Sequence, residues 1–171
     1  MKIYRKVIPK IAKDVVRMLL ANRAIEVEDG RRDEAELDIA GCLVDYMNAV
    51  DKITNDAHEA LERHDLSIQH LARVKNSLAD SRKVVIGDGA LDYVIDQVIG
   101  TLFDSKNILE VFAEDNEIRK MVCEAINKYL GVDEELDREV RGRLKNLREG
   151  TPEWELEYNR LIGQIRRHRA I

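Results

Sequence analysis

The sequence predicts an all-α fold built as two tandem, related four-helix units, each with a short extended segment after its first helix. Three observations predict it. Apolar residues recur at i, i+3, i+4 and i+7 through most of the chain, the period of a helix with one buried face. Of the 171 residues only two are proline, 36% are charged and 5% aromatic, the composition of a soluble, highly charged helical protein. The second half also repeats the first. With Tyr129 placed over Tyr46, a shift of 83 positions, apolar residues fall on apolar residues along most of the chain without a gap.

Around the tyrosines, Ile39, Cys42, Leu43, Tyr46 and Met47 meet Val122, Ala125, Ile126, Tyr129 and Leu130. Further on, Ile53, Ala57, Leu61 and His64 meet Leu136, Val140, Leu144 and Leu147. The second set places His64 partly toward the core. Identical pairs are few, chiefly Val15 with Val98, Leu19 with Leu102, Ile25 with Ile108, Tyr46 with Tyr129 and Leu61 with Leu144. Asn48 falls over Gly131, and these two residue types adopt the left-handed conformation at least cost, so a helix is expected to end there in each copy. The units span 1–82 and 83–171.

Taken in order, Ile8, Ile11, Ala12, Val15, Val16, Leu19 and Leu20 mark the first helix, with Pro9 tolerable in its opening turn. Ile25, Glu26 and Val27 alternate before Glu28-Asp29-Gly30, an extended segment and a turn. A second helix starts near Asp33 and ends near Asn48, and a third runs from Asp51 to His64. Ser67 can cap a fourth that carries Leu71, Val74 and Leu78. Val84 to Ile86 and Gly87-Asp88-Gly89 join the halves. The plan then repeats: Leu91, Val94, Ile95, Val98, Ile99, Leu102 and Phe103 form a helix, Ile108 to Phe112 an extended piece, and Asn116 caps the next helix. Asp133 is expected to cap a helix beyond Gly131. Thr151 with Pro152 starts the last one, placing Trp154, Tyr158, Leu161, Ile162 and Ile165 on one face.

The IEVED at Ile25 to Asp29, the acidic VDEELDREVRGRLKNLREGTPEWELEY from Val132 to Tyr158, and the overall length resemble the bacterial family catalogued as domain of unknown function 507. The resemblance covers essentially the whole chain. It implies a bacterial, cytoplasmic, mostly helical protein and carries over no activity, cofactor or catalytic residue.

Candidate chemistry resolves into structure. Cys42 and Cys123 each sit in an apolar stripe and read as buried reduced thiols. His58-Glu59-Ala60-Leu61-Glu62 has Glu62 where a zinc-protease helix needs its second histidine, and no histidine has a glutamate three residues before it, as di-iron bundles require. His58, His64 and His70 recur every six residues, which keeps no helical face. Asp133, Glu134, Glu135 and Asp137 lack the glycine and ligand spacing of a calcium loop. Gly87-Asp88-Gly89 lacks the third glycine of a phosphate-binding turn and places Asp88 and Asp92 where phosphate would be repelled. The expectation is no catalytic residues, no cofactor and no metal. Every apolar run is broken before it reaches membrane-spanning length, and the N-terminus lacks a signal-peptide core, which points to the cytoplasm.

Charge is unevenly laid out. Lys2, Arg5, Lys6, Lys10 and Lys13 precede the first acid, and Arg160, Arg166, Arg167 and Arg169 crowd the last helix; removing these nine cations from a net charge of −5 leaves −14 elsewhere. The function expected first is a non-enzymatic helical module that binds another protein as an adaptor, with homo-oligomer formation compatible. The alternative is nucleic-acid or ribosome contact through the nine basic residues, should the two ends adjoin.

Overall fold

The computed structural model describes residues 3, 5–148 and 151–169, with side chains at all of these except 131–135, 152, 155, 159 and 166–169. In chain order the elements are α1 (Ile8–Ala21), β1 (Ile25–Val27), α2 (Arg32–Arg63), α3 (Leu71–Ser81), α4 (Ala90–Asp104), β2 (Ile108–Val111), α5 (Asp115–Arg143) and α6 (Pro152–Arg169). Short 3-10 turns at Arg5–Val7 and Ile68–His70 lead into α1 and α3. Among the described residues no helix is long and apolar enough to cross a membrane.

The chain divides into two compact units, Met1–Asn127 and Lys128–Ile171. Most of the elements form the first. Its core is aliphatic: Ile8, Ile11, Val15, Val16 and Leu19 of α1, Ile39, Leu43 and Ile53 of α2, Val94, Ile95, Val98 and Leu102 of α4, and Ile118, Val122 and Ile126 of α5 are all buried. α2 packs against α1, α3 and α4. β1 and β2 pair antiparallel, with Ile25 opposite Val111, Glu26 opposite Glu110, and an irregularity before Val27 meets Ile108. The second unit holds the end of α5 and α6 around Leu136, Val140, Leu144, Trp154, Tyr158, Ile162 and Ile165. Trp154 and Tyr158 stack with centroids 4.7 Å apart, and the Arg141 guanidinium lies 5.5 Å from the Trp154 ring. The Tyr158 hydroxyl donates to Asp137, whose other oxygen accepts from Arg141 Nε at 2.7 Å.

α2 and α5 correct the expected helix ends at Asn48 and Gly131, because each runs straight through its breaker. The buried positions of α2, Ala35, Ile39, Leu43, Tyr46, Ile53, Ala57 and Leu61, stay in helical phase on both sides of Asn48. A poor helix former inside a helix costs about 0.7 kcal/mol, and glycine about 1 kcal/mol. Burying one large aliphatic side chain returns about 1.5–3 kcal/mol, so the seam wins. Asn48 Oδ1 instead accepts from Arg5 Nη2 at 2.8 Å. Each half of the sequence thus has three principal helices rather than four.

Smaller corrections follow from the same continuity. Asp133 falls inside α5, not at a helix start. Asn116 also lies within α5, and it is Glu117 Oε2 that reaches back to accept from the Glu114 backbone N–H at 3.2 Å. His64 is exposed because α2 ends at Arg63, leaving it outside the seam. At Thr151 the helix start is as expected, with Thr151 Oγ1 accepting from Trp154 N at 3.3 Å, whereas Ser67 caps the 3-10 turn before α3 rather than α3 itself, its Oγ accepting from Gln69 N at 3.4 Å. Gly87 (φ 71°) and Gly89 (φ 83°) take left-handed conformations in the turn before α4.

Two substitutions test this description. Asn48→Pro removes a backbone bond inside α2 and should lower unfolding free energy by about 3 kcal/mol or more, and Asn48→Gly should lower it by roughly a few tenths of a kcal/mol; a left-handed helix end at Asn48 would instead be stabilised by glycine. Glu26 and Glu110 are like charges directly opposed and exposed on the ribbon. Glu26→Lys should therefore raise stability by about 0.2–1 kcal/mol in denaturant titrations, and a loss would contradict the register.

Candidate functional site

Among the described residues of the first unit, two clefts and one charged helix face present exposed polar chemistry. The first cleft, about 540 Å³, lies where α2 meets the end of α4 and the turn into β2. Asp38 lines it. One carboxylate oxygen accepts from Ser105 Oγ at 2.5 Å and from Asn107 Nδ2 at 2.8 Å, while Ser105 Oγ accepts from the Asn107 backbone N–H at 3.1 Å. The Ser-x-Asn turn after α4 is thereby tied to α2, which fixes where β2 begins. Asp45 and Asp104 add carboxylates, Lys106 a cation, and Leu37 an exposed apolar rim.

Cys42 lines this cleft, half-buried and free. Burial pushes its thiol above the usual value of 9.0, Thr101 pulls it back by a hydrogen bond, and the nearby Asp45 charge pushes it up again. A thiol held protonated is a poor nucleophile, and Cys42 acts as a small core-edge side chain. The expectation of buried thiols is met in part, since Cys123 is also free and half-buried, with Sγ accepting from Asn127 Nδ2 at 3.2 Å. Tyr46, 5.9 Å from Tyr93 by ring centroids, donates its hydroxyl to Val85 O at 3.1 Å. Burial raises its pKa, with Tyr93 adding to the rise.

The second cleft, about 590 Å³, lies between α1 and α5. Met18, Asn22, Lys120, Met121 and Glu124 line it, and each stands 83 positions from a residue lining the first: Thr101, Ser105, Leu37, Asp38 and Gly41. The chemistry differs. Met121 stands where the 83-residue interval from Asp38 falls, and Asn22 Nδ2 turns to its own helix, donating to Met18 O at 2.8 Å.

The third feature is the solvent face of α1 and its leading turn, where Arg5, Lys6, Lys10, Lys13 and Arg17 are all exposed. Arg5 bonds Asn48 and Asp51 of α2, the latter at 2.7 Å, and Arg17 bonds Asp14 at 2.8 Å. Lys6, Lys10 and Lys13 make no ion pair among the described residues. Of the other basic residues singled out from the sequence, Arg160 lies on α6 and pairs with Glu157 at 3.2 Å. Lys2 and the side chains of Arg166, Arg167 and Arg169 lie outside the described residues. His58, His64 and His70 are all exposed, and among the described residues no group of His, Cys, Asp and Glu is placed to hold a metal ion. The clefts have no signal in the local sequence pattern, because each is formed where ends of different helices meet.

Compared with known families, residues 1–171 match the family described as Protein of unknown function (DUF507), and the chain belongs to that family. No curated protein matches it.

The Cys42 environment has a signed consequence. Its folded pKa lies above the unfolded one, so the fold binds that proton more tightly and the associated stability is lost as pH rises above about 9. Alkylation of native Cys42 at pH 8 should be slower than in denaturant, and Asp45→Asn should speed it by lowering the pKa. Equal rates in native and denatured protein would contradict the assignment.

Proposed function

We propose that this member of the family is a non-enzymatic helical module, an adaptor that binds another protein. The observation that carries this reading is the display of large apolar side chains on a well-packed helical frame. Within one short stretch, Phe103 is 67% exposed, Leu109 59% and Phe112 56%. Exposed aromatic residues are the groups that contribute most at protein interfaces. They stand at the end of α4 and in and after β2, elements held by the Asp38 network and the ribbon. Presentation from a rigid support lowers the ordering cost of binding.

We further propose that the chain arose by tandem duplication. Four correspondences support it. β1 and β2 start 83 positions apart, as do α2 and α5, and α1 with α4 and α3 with α6 come within two residues of that interval. The two strands that correspond are the two that pair, antiparallel, as one surface meets itself across a two-fold axis. The paired clefts extend the correspondence beyond the apolar stripes that suggested it.

A second reading, nucleic-acid or ribosome contact through the basic helices, draws on the exposed cations of α1. It requires affinity that falls steeply with salt, by about 0.9 log units per log unit of salt for each duplex phosphate neutralised.

Affinity purification under gentle conditions separates the two. The adaptor reading expects a protein partner that survives nuclease treatment and is lost on Phe103→Asp with Phe112→Asp, an effect of 2 kcal/mol or more, roughly thirtyfold in affinity. Recovery of only nuclease-sensitive material, weakened by reversing Arg166, Arg167 and Arg169, would favour the second reading and sink the first.

A further inference from the structure

Two basic residues at the start of α1 stand where helix stability argues against them. The first turn of α1 contains no acidic residue, and Lys6 and Lys10 sit at its N-terminal end, where the helix dipole is positive and favours carboxylates. Lys6, Lys10 and Lys13 are all exposed, and none makes an ion pair among the described residues. The one acid of α1, Asp14, is turned inward, with 13% of its side chain accessible, and engages Arg17. The result is a solvent face on which every charged residue but that one is basic, in a chain of net charge −5. A local rule broken without a structural return is the mark of a functional surface.

We propose that this stripe, Lys6, Lys10, Lys13 and Arg17, docks an acidic helical segment of a partner protein. The inference rests on the adaptor reading and names the chemistry of what is bound. Lys10, Lys13 and Arg17 follow the i, i+3, i+7 spacing of one helix face and span about 10 Å at 1.5 Å rise per residue. A partner helix with glutamates or aspartates at the same spacing presents carboxylates in step with them, as charged flanking positions do in paired helices.

Flanking charge selects a narrow partner over a broad one. Asp51 of α2 stands beside the stripe, bonded to Arg5, and Glu117 and Glu124 of α5 line the cleft that α1 borders on its other side. A nucleic-acid duplex wider than the stripe would bring phosphates over these carboxylates. A single helix, about 10–12 Å across, rests on the lysines alone.

The test is fluorescence anisotropy with the full chain and three labelled probes: an alanine-based helical peptide with glutamates at i, i+3 and i+7, its glutamine twin, and a DNA duplex. The expected result is binding of the glutamate peptide, little binding of the other two, and a loss of about tenfold or more on K6E/K10E/K13E. The gentler K6Q/K10Q/K13Q, placed at exposed sites, should give a smaller loss with a circular-dichroism melt equal to or slightly above that of the parent chain. Tighter binding of the duplex, equal binding of the glutamine twin, no binding of the glutamate peptide, or an unaffected triple variant would each overturn the proposal. A protein partner that still requires Phe103 and Phe112 but ignores the lysines would remove the stripe and leave the adaptor reading standing.

Discussion

The aliphatic seam of α2 is the constraint on which the first unit depends. Ala35 to Leu61 keep a single helical phase over the length of Arg32–Arg63, and α1, α3 and α4 all pack on that one rod. Because the seam is continuous, the helix cannot end at Asn48 without leaving Ile53, Ala57 and Leu61 with no core to enter. The polar attachments are arranged around the rod. Asp38 secures the turn after α4, Tyr46 bonds the segment before it, and Asn48 with Asp51 takes the Arg5 guanidinium from the turn before α1. These bonds lie between residues 39 to 69 apart in sequence, so they fix tertiary position rather than helicity.

Much of the fold was legible because its signals are local. The apolar period gave the helices, the alternation of Ile25 to Val27 and the run from Ile108 gave the two strands, and Thr151 with Pro152 gave the start of α6. Two features differ from the local signals. Asn48 and Gly131 are permissive for a helix end, but a permissive residue does not end a helix whose apolar positions stay in phase beyond it. His64 does not follow Leu147, 83 positions on: Leu147 packs against the second unit's core, whereas α2 ends before His64 and leaves it exposed.

The surface chemistry was less legible, because it depends on which ends of which helices meet. Basic residues at both termini were visible as composition, yet only part of that set stands on one described face, Arg5, Lys6, Lys10 and Lys13, and Arg17 joins them there. The Asp38–Ser105–Asn107 network joins residues 67 and 69 apart, and nothing in the local pattern announces it. The clefts combine matched positions with different chemistry. Five residues of the second stand 83 positions from residues of the first, yet one lining offers carboxylate, hydroxyl and amide and the other thioether beside Lys120 and Glu124. Buried positions of a helical frame constrain one another through packing, whereas cleft linings answer to whatever they meet.

Native-state hydrogen exchange through the middle of α2 tests the account most directly. A helix carried on an unbroken seam should protect the backbone amides from Tyr46 to Thr54 as one cooperative block, with opening free energies close to those of Leu43 and Ala57. Fast exchange confined to Asn48 through Lys52, between two protected segments, would mean two helices in place of one and would contradict the architecture described here.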